Sequence, residues 1–339
     1  MKLKITVGVI CHNEEKQILD CLQSLNENQQ DFHELIIVDN NSTDATLTLV
    51  KQALIEMQIC TQVVARSKNN IAEARNDILQ RANGELIYFI DSDCRLKKDS
   101  ISQLLKFYTP DPQVAVWGGA QIFPHSVPIL EILDQMRKKY FGHFGSHQLK
   151  ISTQNEYVDH ISTTHALYKK DILMKIGGFD PRLQYGAEDL ELSLRLYFSG
   201  YRLLHVPTSK VIHYHVKTWQ EWCKKAFRNG VWQTRLTKYN PQIFKTRRPW
   251  PALLFPFVVL VPIKIFGSLF LAYLFLIFIL SAFSDLQIKK RPQLFALFIL
   301  THFFYGVGEI YGIFHSLVFS VPDAAQLKEL PQAKSSNKA

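Results

Sequence analysis

The sequence predicts an α/β domain with a mainly parallel sheet over residues 1–240, followed by membrane-embedded helices over 252–321. Three observations carry this. Short apolar runs alternate with helix-period patterns through the first 240 residues, the mark of strands joined by crossover helices. Each early apolar run ends in polar residues: His12-Asn13-Glu14, Asp39-Asn40-Asn41-Ser42 and Asp91-Ser92-Asp93. Beyond residue 252 the chain turns almost purely apolar.

The strands are expected at Ile5–Cys11, Glu34–Asp39, Thr61–Ala65 and Glu85–Asp91, each a run rich in Ile, Val and Leu. Helices are expected near Glu14–Asn26, Asp44–Met57, Ala72–Ala82 and Lys97–Tyr108. In an open α/β sheet, ligands bind outside the carboxyl ends of the strands, which is where the polar clusters fall. After Tyr108 the pattern loosens through Gln113–Phe123 and a His-rich stretch from His125 to His147.

A basic, Pro-containing segment, Lys245-Thr246-Arg247-Arg248-Pro249-Trp250-Pro251, marks the boundary with the apolar region. From Ile265 to Ser284 there are 20 residues without a charge, about 30 Å as a helix and enough for a bilayer core. Leu294–Val321 is also long enough, but carries His302 and Glu309, which inside a membrane face protein or water. Buried core helices are the alternative for both. Two or three segments fit, because Pro256, Pro262 and Lys264 allow Leu253–Ile263 to be a separate interfacial piece. Two full spans would place Lys289, Lys290 and Arg291 outside, against the positive-inside tendency. The tail 322–339, rich in Lys, Gln, Ser and Ala, is expected to be disordered.

Composition narrows the function. Lys and Arg number 39 against 30 Asp and Glu, for a net charge of +9, while apolar residues make up 47% of the chain, which excludes wholesale disorder. The five cysteines (11, 21, 60, 94 and 223) are odd in number and contain no C-x-x-C pair. Neither a disulfide framework nor a cysteine zinc site is expected, and a reduced, cytosol-facing compartment is. Lys4 and His12 to Glu15 leave no room for a secretory apolar core between them. Positive charge gathers beside the apolar segments, at Arg137 to Lys139 and at Lys224, Lys225, Arg228, Arg235 and Lys238. Anionic lipid headgroups or a solvated face account for it, and nucleic acid is not expected as a partner.

No G-x-G-x-x-G or P-loop cradles a phosphate here. Acidic strand ends bind a nucleotide diphosphate only through a divalent cation, and hard cations prefer carboxylate oxygens. Ile87-Tyr88-Phe89-Ile90-Asp91-Ser92-Asp93 meets that need, since residues two apart on a strand leave the same face. Taken alone, the pair reads equally as a turn or cap ahead of the next helix. Likewise Glu188 and Asp189 could simply be an acidic first turn opposing the helix dipole.

Taken together, Val7-Gly8-Val9-Ile10-Cys11-His12-Asn13-Glu14-Glu15, Ile36-Ile37-Val38-Asp39-Asn40-Asn41-Ser42-Thr43-Asp44, Ala74-Arg75-Asn76, Asp91-Ser92-Asp93, Gly177-Gly178-Phe179-Asp180 and Glu188-Asp189 resemble, in order and spacing, the family 2 glycosyltransferases. These are inverting enzymes of the GT-A fold, and the resemblance covers about residues 4–235. It implies that Glu14 and Asp39 hold the nucleobase and ribose, that Arg75 lies near the base or diphosphate, and that Asp91 contacts the ribose. It further implies that Asp93 ligates the metal, Mg²⁺ or Mn²⁺, and that Glu188 and Asp189 are the acid pair at the acceptor side, with Asp189 the general base. His213, at the end of Val206–His213, is similarly placed to a third metal ligand; His215, or no ligand there, is the alternative.

The second acid of the usual Asp-Asp-Gly-Ser stretch is Asn40, and Asn41 stands for the glycine, a residue that tolerates a left-handed turn. Gln-x-x-Arg-Trp, the motif of processive synthases, is missing around Trp219–Trp222, so transfer of one sugar per encounter is expected. The function implied is a multi-pass membrane enzyme with a cytoplasmic catalytic domain. It would be an inverting, metal-dependent glycosyltransferase moving a single sugar from a nucleotide-diphosphate sugar donor to a lipid-linked or polysaccharide acceptor. A polyprenyl-phosphate sugar synthase and a non-catalytic nucleotide-sugar-binding subunit of a membrane assembly are the alternatives.

Overall fold

The computed structural model describes residues 3–124, 128–133, 154–184, 186–214, 218–239, 264–284 and 286–318. The basic stretch at 137–139, the boundary at 245–251, His215 and the tail from 322 lie outside the described residues.

The first four strands form as the apolar runs dictate: β1 (Ile5–Cys11), β2 (Glu34–Asp39), β3 (Cys60–Ala65) and β4 (Leu86–Asp91). All are parallel, in the order β3-β2-β1-β4. The register aligns Cys11 with Asp39 and Ile10 with Asp91, so three polar loops leave one edge side by side. Residue parity then decides which face each side chain joins. Ile5, Val7, Val9, Leu35 and Ile37 pack on one side with α1 (Ile18–Asn26), α2 (Thr46–Ala53) and α4 (Ser100–Leu105). Ile36, Val38, Ile87 and Phe89 pack on the other, against α3 (Ile71–Arg81), α5 (Lys170–Lys175) and α6 (Glu188–Phe198). A Cβ on Gly8 would stand 2.7 Å from Ile78, so the glycine lets α3 lie close on β1.

The helix starts shift by a few residues from the expected ones: α1 and α2 begin later, at Ile18 and Thr46, and α3 one residue earlier, at Ile71. Asp44 accepts hydrogen bonds from the Thr46 amide and hydroxyl, which starts α2 at Thr46 rather than at Asp44. Asn70 accepts from the Glu73 amide at 3.2 Å and caps α3.

The second half of the sheet departs from the expected parallel pattern. β8 (His165–Lys169) inserts antiparallel beside β4, then β6 (Val114–Ile122) runs antiparallel to β8. Next comes β9 (Arg202–His213), parallel to β6, with β5 (Cys94–Leu96) and β7 (Glu156–Val158) antiparallel to it. The nine-stranded sheet is therefore mixed rather than mainly parallel. The sequence gives little sign of β6, since Val-Ala-Val-Trp-Gly-Gly is buried on both faces and shows no alternation.

A buried polar file supports this half. Between Tyr88 Oη, 2.5 Å away, and Ser209 Oγ, at 2.8 Å, the His165 ring fills the space above Gly119, where a Cβ would stand 2.1 Å from the ring nitrogen. Burial, reinforced by the nearby His205, pushes the His165 imidazole down to about 3 despite the Ser209 contact. Below about pH 6.5 the unfolded chain takes up a proton that the folded chain refuses. The stability of neutral His165 is therefore complete above that pH and falls as the pH drops toward about 3. By pH 5 the loss is about 2 kcal/mol. Urea midpoints at pH 7 and pH 5 should differ less in His165→Asn than in the parent, and equal differences would refute the assignment.

Two compact units divide the chain: Met1–Glu221 with Leu280–Phe295, and Trp222–Ile279 with Ala296–Ala339. Within the second, α7 (Trp219–Tyr239) and α9 (Arg291–Val318) touch through glycines, because a Cβ on Gly230 or Gly308 would lie 2.1 Å from the facing carbonyl oxygen. Trp222 donates to Thr301 Oγ1 at 2.7 Å, and Tyr273 Oη lies 2.7 Å from His302 Nδ1. Glu309 is buried and His302 faces protein, as polar residues in an apolar helix should.

Among the described residues, Ile288–His315 is the one helix long and apolar enough to cross a membrane, with 28 residues and a mean hydropathy of 1.5. The apolar part of α8 (Lys264–Ala282) is the shorter Phe270–Ala282, and Leu253–Ile263, the expected third segment, lies outside the described residues. In the connecting loop Lys290 bonds Glu131 at 2.5 Å, within the compact unit that holds the sheet.

Candidate active site

Four strand ends and two helices supply the site. β1 leads into Asn13, which has a left-handed φ of 56°, and Glu14, whose amide donates to Thr46 Oγ1 at 2.7 Å. β2 delivers Asp39, 3% exposed, which accepts from the Ser42 amide. Asn41 adopts the expected left-handed turn, with φ 67°. Asn40 holds the neighbouring loop instead of offering a second acid: it donates to Asn69 Oδ1 at 2.8 Å and accepts from the Asn70 amide at 3.0 Å.

Arg75, on α3, is the centre of the arrangement. It donates to Glu188 and, at 3.2 Å, to Asp91, and its guanidinium lies 5.7 Å from the Phe179 ring centroid. Both Arg75 and Glu188 are only 3% exposed. Three distant motifs thus meet through one cation. The next residue explains a fourth, because Asn76 donates to the Phe179 carbonyl at 2.7 Å and accepts from the Phe179 amide at 2.8 Å. Gly177 and Gly178 have φ of 88° and 68°, and a Cβ on Gly178 would meet Asn76 at 2.6 Å. Only glycine closes that loop against α3.

The loop ends at Ala187, φ 66°, which starts α6 with Glu188 and Asp189 in its first turn. Their fates differ. Glu188 is locked on Arg75, while Asp189 keeps 21% of its side chain exposed and lies 3.8 Å from His160 Nε2. Burial alone would raise the Asp189 carboxyl. His160, the Arg75 charge and Ser162 outweigh that, and hold it well below the usual carboxylate range. It is an ionised carboxylate at any working pH.

On the far side of the Asp91-Ser92-Asp93 turn, β5 pairs with β9 so that Cys94 stands opposite His213. His213 Nε2 then lies 3.2 Å from Asp93 Oδ2, and His213 Nδ1 lies 2.9 Å from Gln121 Oε1. An amide oxygen only accepts, so Nδ1 donates to Gln121, and Nε2, beside Asp93, is the nitrogen that would face a cation. Asp93 and His213 therefore fit a divalent cation.

Sequence reading missed His160, Ser162, Thr164 and Gln121. Thr164 donates to Asp91 Oδ2 at 2.7 Å, which completes the hold on that carboxylate. All four sit on or beside β6 to β8, whose strand pattern was invisible; knowing that β8 borders β4 would have pointed to the residues before His165. The buried thiols of Cys11, Cys21 and Cys94 are raised by burial above the ordinary thiol range, so none is a ready nucleophile.

A mixed sheet whose parallel strand ends carry an Asp-x-Asp pair, facing a helix that begins with acids, is the arrangement of a GT-A-type nucleotide-sugar transferase domain. Residues 6–177 match the model of glycosyl transferase family 2, and the chain belongs to that family. Among its relatives, the SPbeta prophage-derived glycosyltransferase SunS of Bacillus subtilis is 35% identical over 113 residues, 32% of this chain and 25% of SunS. The chain thus spans about a quarter of that relative. The probable glycosyltransferase YdaM of Bacillus subtilis is 25% identical over 317 residues, 89% of this chain and 72% of YdaM. The fold is also that of the mannosyltransferase PcManGT from Pyrobaculum calidifontis, solved with GDP-Man and Mn²⁺, at a TM-score of 0.50 and 18% identity over 97% of this chain and 79% of that one. GalNAc-T7, solved with UDP, GalNAc and Mn²⁺, matches at a TM-score of 0.52 and 15% identity over 70% of this chain and 49% of that one.

Proposed function

We propose that this protein is an inverting, metal-dependent glycosyltransferase that moves one sugar from a nucleotide-diphosphate sugar to a lipid-linked or saccharide acceptor at a membrane. The observation that carries the proposal is the His213–Asp93 pair, with His213 Nδ1 held by Gln121, together with a partly exposed carboxylate at Asp189. The Mn²⁺ bound by PcManGT and GalNAc-T7 supports a divalent cation here. The apolar helix Ile288–His315 supports a membrane site of action.

In this reading Asp93 and His213 hold the cation, which offsets charge on the departing diphosphate. Glu14 and Asp39, at adjacent strand ends, take the nucleoside. Asp189 accepts the proton of the attacking acceptor hydroxyl on the face opposite the leaving group, which is what inversion demands. Glu188 and Asp91 fix Arg75 beside the diphosphate, and His160 orients Asp189.

A screen of nucleotide sugars with the full-length protein, by thermal shift with Mn²⁺ or Mg²⁺, tests the donor and the metal together. A donor at a hundredfold excess over Kd stabilises the folded state by about 2.7 kcal/mol. Asp93→Asn should lose the metal-dependent part of that stabilisation while keeping the unliganded melting temperature near the parent's. Undiminished metal-dependent binding in the variant would place the cation elsewhere.

A further inference from the structure

The donors beside Asp93 are not all hard. Cys94 Sγ lies 3.8 Å from Asp93 Oδ1, while Asp93 Oδ2 lies 3.2 Å from His213 Nε2. One ligand atom from each of the three residues falls within 4.8 Å of the others. A tetrahedral zinc ion, with bonds of about 2.0 Å to nitrogen or oxygen and about 2.3 Å to sulfur, spaces its donors by about 3.3–3.6 Å. The two measured distances, one to each Asp93 oxygen, lie close to that range, and with one donor atom per residue no separation exceeds 4.8 Å. The β5–β9 register holds the sulfur there, since Cys94 is paired directly with His213. Mg²⁺ and Mn²⁺ favour oxygen, with little use for the sulfur, whereas thiolate selects zinc-like ions.

We propose that Cys94, with Asp93 and His213, forms a nitrogen, oxygen and sulfur corner that captures thiophilic divalent ions such as Zn²⁺ or Cd²⁺ and thereby excludes the activating ion. The inference rests on the assignment of Asp93 and His213 as metal ligands. On capture the Cys94 thiol gives its proton to solvent and the sulfur becomes the third protein ligand. Zinc-like ions would then inhibit at the donor site itself, in competition with Mn²⁺.

Cobalt(II) is the probe. The full-length protein titrated with Co²⁺ should show a sulfur-to-cobalt charge-transfer band in the near ultraviolet. Cys94→Ser should abolish the band, and Cys60→Ser, at an exposed position, should leave it intact. Displacement of bound Mn²⁺ by Zn²⁺, followed by the resonance of the released Mn²⁺, should weaken by about tenfold or more in Cys94→Ser, while Mn²⁺ affinity itself changes little. Co²⁺ binding that is lost in Asp93→Asn but never shows the band would overturn the role of Cys94 and leave the metal assignment standing. Failure of Co²⁺, Mn²⁺ and Zn²⁺ all to bind would remove both. Should Cys94→Ser not fold, the presence or absence of the band in the parent decides.

Discussion

Asp189→Asn is expected to fold, to bind donor and metal as the parent does, and to lose turnover by about 10²–10⁴-fold with a neutral hydroxyl acceptor, the usual scale for a positioned base. The substitution keeps the size of a side chain that is 21% exposed and removes its charge. Donor contacts are assigned to other elements, at the ends of β1, β2 and β4, so affinity and turnover should separate. The pH profile adds a second readout. The Asp189 carboxyl is held well below the usual range, so it stays ionised across working pH and contributes no acid limb near pH 4 to kcat/KM. If the acceptor is a lipid phosphate, already an anion, nothing needs deprotonating and the variant should keep much of its rate. That outcome would favour a polyprenyl-phosphate sugar synthase. Full activity toward a neutral hydroxyl would remove Asp189 from its assigned role, and Glu188, bound to Arg75, could not replace it without breaking that ion pair.

Strands whose apolar runs stand against polar loop ends were legible to within a residue: β1 and β2 begin and end where the sequence predicts them. The same contrast put Glu14, Asp39, Asp91 and Asp93 at or just beyond the carboxyl ends of β1, β2 and β4, where the structure has them. What the sequence concealed is long-range. Nothing in Val114–Ile122 or in His165–Lys169 announces which strand each will border, and the antiparallel insertion of β8 between β4 and β6 is a tertiary choice. The partners it brings, Thr164 on Asp91 and Gln121 on His213, are separated from their targets by 73 and 92 residues. Local pattern carries no record of such pairs. The loop between the apolar helices shows the same limit, since a run of uncharged residues says how long a helix can be but not whether a flanking lysine binds a carboxylate such as Glu131.

Arg75→Met should be the most destabilising single change at the site. It leaves Glu188, 3% exposed, as a buried carboxylate without its cation, and removing one partner of such a pair costs about 3–5 kcal/mol. Asp91 suffers less, because it is 32% exposed on its side chain and keeps the Thr164 hydroxyl. The double change Arg75→Met with Glu188→Gln should therefore recover much of the loss, since no buried charge is then unpaired. Denaturant midpoints for the parent, the two single variants and the double variant measure the coupling directly. Donor affinity in the double variant then separates the two tasks assigned to Arg75. A protein that regains stability but binds a nucleotide diphosphate weakly has lost a group that faces the diphosphate. One that regains both stability and affinity shows Arg75 to be a clamp between α3, β4 and α6, with the diphosphate held by the cation ligands alone.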